Sequence, residues 1–526
     1  MKPFNPDQLY KRKRSPWYSG VTLSLLAMFV LACMVAVWYK MRDAQNAPGD
    51  LVVYCAAGIR LPVEAAAAAY EKEFGVRITL DYDSSGALEG KLQLDRDNNK
   101  SRADLYVPAD VSFATRARQK GLTAETIPLA AFRLVLAASP DADLNVTSLD
   151  QFLSRQIPFT LCDVKAGVGK TTRAALQDLG KWEAFDAAKK TSFPRVTDAA
   201  AAIQASEVVQ AGFLWDTTAR QFGLTIIELP ELASVRSTIS ANVTAGTAKP
   251  TQALHFARYL ASPEKGQHHF AENHFTVLDG DPWKNAPELK LYCGGVNREA
   301  VTRTLRDFEK REGCKIIEQF QGCGALVATI KTIGASQASA AMPDAFLTCD
   351  ASYMTKVQDL FGSAADVSST NVVLLVRKGN PKNLLSLPGL AKPGLSIGTT
   401  DPTVSTLGDL SWQMLDKAGV SQAIKDNDSH QVTTPTAHEL ILQMESHPKL
   451  DVALVYLANC QNLSSDKFET VTIKDPLALA IQNVAVAKSS RFPQLTGRLI
   501  EAITSATSRQ RFEQAGFEWE NAAPKE

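Results

Sequence analysis

Two short stretches hold residues able to do chemistry together: Ala56-Ala57-Gly58 and Ser84-Ser85-Gly86. Each reads as a turn of small residues between a strand and a helix, which leaves backbone N–H groups accessible. A helix N-terminus carries unpaired N–H donors and partial positive charge, so it suits an anion. Serine hydroxyls add donors that a tetrahedral oxyanion can use. Serine is also an ordinary helix cap, so an isolated Ser-Ser-Gly would carry little weight. The recurrence of both turns in one chain gives them weight.

Three other groupings invite chemistry and are weaker. Lys165-Ala-Gly-Val-Gly-Lys-Thr-Thr172 imitates a phosphate loop, but the glycine that GxxxxGK[ST] needs is Val164. The repeat places Asp401-Pro-Thr-Val-Ser-Thr-Leu-Gly408 there, with no lysine. This stretch reads better as another helix N-terminus aimed at a cleft. His268, His269 and His274 cluster near a terminal helix without metal-ligand spacing, and no CxxC pair occurs, so no metal is expected. Of eight cysteines, Cys33 lies in an apolar segment. Five of the other seven fall in the second half, where one disulfide is compatible with the number but its pairing is not legible. Most read as small buried apolar residues. No nucleophile–base set is present, so no enzyme is expected.

The elements that position the two turns occur twice. LVVYCAAGIR, YEKEFGVRITLDYDSSGALEGKL and RADLYVPAD are answered by LKLYCGGVNR, FEKREGCKIIEQFQGCGALVATI and MPDAFLTCD. Tyr54-Cys55 returns as Tyr292-Cys293, Gly75 as Gly313, and Gly86-Ala87-Leu88 as Gly324-Ala325-Leu326, all at an offset of 238 residues. Such a period is a whole domain's length. Within the first copy, Leu51–Tyr54, Val76–Tyr82 and Ala103–Val107 read as strands, with helices over Pro62–Phe74 and Ala87–Leu94. Gly75 stops the first helix. This alternation predicts a parallel α/β sheet, with ligands at the carboxyl ends of its strands. Val209–Trp215 is a further strand, matched by Asp451–Tyr456. Late helices over Pro250–Tyr259 and Pro263–Asn273 are answered at the end by Ala502–Gln514.

Ser15–Tyr39 contains no charged residue, and aromatic residues flank its apolar centre. At about 1.5 Å per residue it spans a bilayer core of roughly 30 Å. Lys11-Arg12-Lys13-Arg14 precede it, which predicts a cytoplasmic N-terminus and an extracytoplasmic remainder. The apolar run continues past Cys33, unlike a lipoprotein signal, and Ala47 lies beyond a charged run, unlike a cleavage site. A retained anchor is therefore expected. The first 50 residues hold seven Lys/Arg and three Asp, leaving 49 basic against 53 acidic residues beyond them. That balance excludes the basic face a nucleic-acid partner would need.

Each copy resembles a periplasmic substrate-binding protein of the molybdate-binding type. The resemblance rests on the order of YCAAGIR, SSGAL, ADLYVPAD, the Asp163–Gly169 and Asp401–Gly408 turns, GFLW/ALVY and the closing helices. It covers nearly all of 51–526. It implies two α/β lobes that close on a ligand, in two type II binding domains (51–283 and 289–526). These follow a cytoplasmic tail (1–16), a transmembrane helix (17–39) and a linker (40–50). That family holds an oxyanion with two serines, backbone amides and a tyrosine. The first serine falls on Gly58, beside Ala57, and on Val296, beside Gly295. The second falls on Ser85, with Ser84 next to it, and on Cys323. The lobe-two amides fall on Val168 and Leu407, and on Val196 and Val432. The tyrosine falls on Trp215 and on Tyr456. Arg60 and Arg298, just past the first turn, could add a charge-assisted bond.

The departures weaken the second copy more than the first, because its GCG turn has no serine. The expectation is a membrane-anchored protein that captures a small oxyanion such as molybdate or tungstate for an ABC permease, without a cofactor. The alternative is a sensor or structural ectodomain with degenerate sites.

Overall fold

The computed structural model describes residues 49–142, 144–336, 341–426 and 431–520. The anchor expected over 17–39 lies outside them. No helix among the described residues is long and apolar enough to cross a membrane.

Each copy builds a ten-stranded sheet, and the strand order is the same in both. In the first copy eight of these run Ile78–Asp83, Leu51–Ala56, Leu105–Val107, Arg236–Thr244, Thr123–Ala138, Ala211–Trp215, Phe159–Cys162 and Thr191–Phe193, and the other two, Thr225–Ile227 and Thr276–Val277, each pair with Thr123–Ala138. The outer strands pair in parallel, as with Leu51 opposite Ile78 and Thr160 opposite Thr191. The middle is antiparallel, so the sheet is mixed and not parallel throughout as the alternation predicted. The reason is the strand Thr123–Ala138, whose length the sequence pattern did not reveal. Its first part pairs with Arg236–Thr244 and its last part, from Leu134 to Ala138, with Ala211–Trp215. It therefore leaves one lobe and enters the other. Arg236–Thr244 makes the return crossing, and a register shift between Pro128 and Ala130 bends the pair midway. Ala365–Arg377 and Leu479–Val486 repeat this crossing in the second copy.

Helices cover the parallel parts. Arg60–Phe74 buries Val63, Ala66, Ala67 and Tyr70 and stops at Gly75, whose φ of 69° needs a residue without Cβ. Arg298–Glu312 stops in the same way at Gly313. The expected helix over Ala502–Gln514 is in fact two, Pro493–Ile503 and Ala506–Gln514. Ser505 separates them, its hydroxyl accepting the Ser508 N–H as an N-cap.

The two copies pack on each other through polar contacts. Glu312 is buried between Arg498, which it meets at 2.6 and 3.0 Å, and Arg258 of the first copy at 3.3 Å. Arg311 pairs with Glu125, and Arg118 with Glu501 at 2.6 Å. Between the copies, the Asp281 carboxylate accepts the N–H groups of Gln494 and Leu495, capping the helix Pro493–Ile503.

Candidate functional site: a cleft ringed by helix N-termini

In the first copy the lobes meet over a small cavity of about 20 Å³. Ala57, Gly58, Ser84, Ser85, Val168, Val196 and Trp215 all line it, so the seven ligand-site positions expected in this copy come together. The cavity is a narrow space, since about 10–15 Å³ holds one water.

Four helices begin at this cavity. The short turn Ala57–Ile59 leads into Arg60–Phe74, and Ser85–Asp97 begins behind its N-cap Ser84. From the second lobe come Gly167–Asp178 and Val196–Ala205. Their N-cap residues, Ala166 and Arg195, make no side-chain cap, so the first-turn amides face the cavity without a partner from their own cap. Four positive helix ends around one small space are an arrangement whose partial charge favours an anion.

Ser85 is 1% exposed and fixed from two sides. Its carbonyl accepts the Tyr106 hydroxyl at 2.8 Å, and its own hydroxyl accepts the Ala109 N–H at 3.0 Å. One lone pair is thus occupied, and the hydroxyl proton remains to be donated. Ser84 differs, since its hydroxyl accepts the Ala87 N–H at 3.4 Å as an N-cap. Gly58 has a steric reason. A Cβ there would lie 2.8 Å from Cγ1 of Val196 in the facing lobe, so a serine cannot stand there while the lobes are together. The lobes also meet where Gly86 donates its N–H to the Lys165 carbonyl at 2.9 Å and Thr171 its hydroxyl to Asp110 at 2.8 Å. Trp215, in place of a tyrosine, is buried and stacks on Phe132 with ring centroids 4.1 Å apart.

The arginines are distributed differently from expectation. Arg60 is exposed, ion-paired with Glu64 at 3.0 Å, and does not line the cavity. Arg195 does line it, paired with Asp198 at 2.8 Å. Sequence reasoning passed over Arg195, although it directly precedes Val196. A basic residue directly before a family-implied anion amide was the available signal. Asp83 lines the cavity too, but accepts the Ser84 N–H at 2.8 Å and lies 3.6 Å from the Lys91 ammonium. Lys170, the lysine of the phosphate-loop imitation, lies over the Phe113 ring and not on the cavity.

The second copy has a much larger cavity, about 580 Å³. Gly295, Val296, Leu407, Tyr456 and Arg298 line it as expected, with Arg298 lying over the Phe320 ring at 4.4 Å. Cys323 is not a lining residue but is wholly buried behind the wall, where Cys349 takes the surface position. Val432 does not line it either. It lies in the strand Gln431–Thr434, and the residue that occupies the place of Val196 is Ala437, the first of the helix Ala437–Ser446. The match made from the sequence fell short of that helix start. Tyr456 is 2% exposed and its hydroxyl has no partner among the described residues, while burial pushes its pKa well up and keeps it protonated. The lobe-two helices differ from those of the first copy: Ser405 and Thr436 cap them, accepting the N–H groups of Gly408 and Glu439. Glu299, Glu439 and His438 also stand on this wall.

Away from both clefts, His268, His269 and Glu272 bring their ligand atoms within 4.8 Å on a single short helix, where His269 pairs with Glu272 at 3.5 Å.

Two lobes joined by crossing strands, closing on a cleft ringed by helix starts, define a solute-binding domain, and this chain carries two. It belongs to the family of bacterial extracellular solute-binding proteins, whose sequence profile matches residues 51–276 and again 289–518. The molybdate-binding protein ModA of Mycobacterium bovis is 24% identical over 247 residues, which cover 45% of this chain and 86% of that protein. A binding protein of Haemophilus influenzae is 24% identical over 238 residues, covering 44% of this chain and 91% of its own length. The solved periplasmic molybdate-binding protein of Azotobacter vinelandii is 16% identical with a TM-score of 0.37, over 44% of this chain and all of that one.

Proposed function

We propose that the first domain, 51–283, captures a small tetrahedral oxyanion of the molybdate or tungstate class and that the chain presents it to an ABC permease. One observation carries this reading. Two second-lobe helices without side-chain caps and the Ser85 hydroxyl face one small cavity. Backbone N–H groups survive the loss of the first serine at Gly58, so donors remain. Arg195 adds a charge at the rim. Relatives named as molybdate-binding proteins agree with the anion class. Lobe closure about the two crossing strands is the working step, and the segment 17–39 tethers the chain to the cytoplasmic membrane with both domains outside.

The second domain, 289–526, serves a different solute. Its cavity is in the size range of larger organic ligands, its helix starts are capped, and Glu299 and Glu439 disfavour an anion. Calorimetry of the full chain with molybdate, tungstate and sulfate tests both statements. One saturating site for molybdate or tungstate, weakened roughly tenfold in Ser85→Ala and unchanged in Tyr456→Phe, is expected. Two equivalent sites would refute the division of labour, and no binding of any oxyanion would refute the ligand class.

A further inference from the structure

Three positions on the floor of the cleft change together between the copies. Ala56, Ser85 and Ala109 of the first are Gly294, Cys323 and Cys349 of the second. The backbone arrangement is retained: Cys349 donates its N–H to Cys323 Sγ at 3.0 Å, as Ala109 does to Ser85 Oγ. The added thiol of Cys349 then lies 2.9 Å from Cys323 Sγ. Gly294 makes the room, because a Cβ there would come 2.3 Å from Cys349 Sγ and 3.0 Å from Cys323 Sγ. Three matched substitutions that place two sulfurs in contact, with a glycine clearing the space, are more than a lone buried cysteine would require.

We propose that Cys323 and Cys349 form a redox pair that closes into a disulfide on the wall of the second cavity. Cys349 is the attacking thiol. It lines the cavity, which is wide enough to admit an incoming disulfide, whereas Cys323 lies behind it. The Cys323 S–H donates to Cys349 Sγ, which lowers the pKa of Cys349, while burial raises that of Cys323. The Cys349 thiolate attacks one sulfur of a small-molecule or protein disulfide, forming a mixed disulfide and releasing one thiolate. Cys323 then loses its proton, attacks Cys349 Sγ and expels the second thiolate. The pair is oxidised by two electrons and the incoming disulfide is reduced to two thiols. An oxidising compartment outside the membrane supplies such partners. Oxidation removes both S–H groups from the place where the first domain keeps the Ser85 hydroxyl, so the second site differs between redox states. This pairing stands on the geometry of the second domain, whatever solute either domain binds.

The test is equilibration of the full chain in glutathione buffers of graded oxidised-to-reduced ratio, natively and during refolding, where burial cannot limit access. Acid quenching, alkylation in denaturant and peptide mapping follow. The expected result is joint loss of alkylation at Cys323 and Cys349 in one transition, with a peptide linking them. Both remaining fully alkylated in oxidised glutathione, or each carrying its own glutathione adduct, would overturn the proposal. Cys349→Ala, which installs the first domain's residue, should leave Cys323 unlinked at every ratio. A Cys323 link to any other cysteine in that variant would also overturn it.

Discussion

At the scale of single residues, the first cleft separates side chains that face the solute from side chains that only neighbour it. Ser85 offers a fixed hydroxyl proton, so Ser85→Ala should weaken molybdate binding by about 1.5 kcal/mol or more, roughly tenfold, in titration calorimetry. Ser84 acts on its own helix, and Ser84→Ala should lower the melting temperature slightly and change affinity less than Ser85→Ala does. The two arginines give a sharper contrast. Arg195→Ala should weaken anion binding and flatten its dependence on salt, because Arg195 stands on the cavity. Arg60→Ala should leave both unchanged, because Arg60 is held by Glu64 on an exposed face. Equal effects of the two would show that general positive charge, and not the cavity rim, sets affinity.

At the scale of elements, the cleft depends on how closely helices start behind strands. The helix Gly167–Asp178 begins so near the strand Phe159–Cys162 that a Cβ on Gly169 would lie 2.1 Å from the Asp163 carbonyl oxygen. Gly408 meets the Thr400 carbonyl at 2.4 Å in the same way. The glycine that made this stretch look like a phosphate loop therefore has a packing role. Gly169→Ala should displace the helix start, costing about 1–3 kcal/mol in denaturant unfolding and reducing oxyanion affinity together. Lys170→Ala should do neither, since Lys170 points to Phe113 and away from the cavity. The strand-to-helix turns were legible in the sequence because their small residues recur at a fixed offset. The crossing strand Thr123–Ala138 was not, because half of it pairs in each lobe and only tertiary pairing reveals that one continuous strand does both.

At the scale of the whole molecule, the two domains are joined by charge buried at their interface. Glu312 is 1% exposed between Arg258 and Arg498. Burial alone would raise its pKa, but the two guanidiniums outweigh burial and hold the carboxyl below its usual range. Glu312→Gln leaves two buried guanidiniums without their counter-ion and should cost about 3–5 kcal/mol in unfolding measurements at neutral pH. The sign of the pH dependence follows from the lowered value. The stability contributed by Glu312 is present above the unfolded carboxylate pKa of about 4.3 and is lost as pH falls through the lower folded value. The difference between wild type and Glu312→Gln should therefore shrink as the solution is acidified below about pH 4. A difference independent of pH would mean that the contact acts through shape alone.

The sequence by itself determined the doubling of the chain, the α/β class and the small-residue turns that begin the helices, because these are local patterns repeated at one offset. The family resemblance, not local pattern, pointed to the seven residues that the structure gathers at the first cavity. Tertiary structure alone decided the mixed sheet, the exclusion of Arg60 and inclusion of Arg195, and the replacement of Val432 by Ala437. It alone decided the size difference between the cavities and the contact between Cys323 and Cys349. These outcomes depend on how two lobes face each other across strands far apart in the chain. A side chain's neighbours in such a cleft come from the facing lobe, and nothing in its own segment records them.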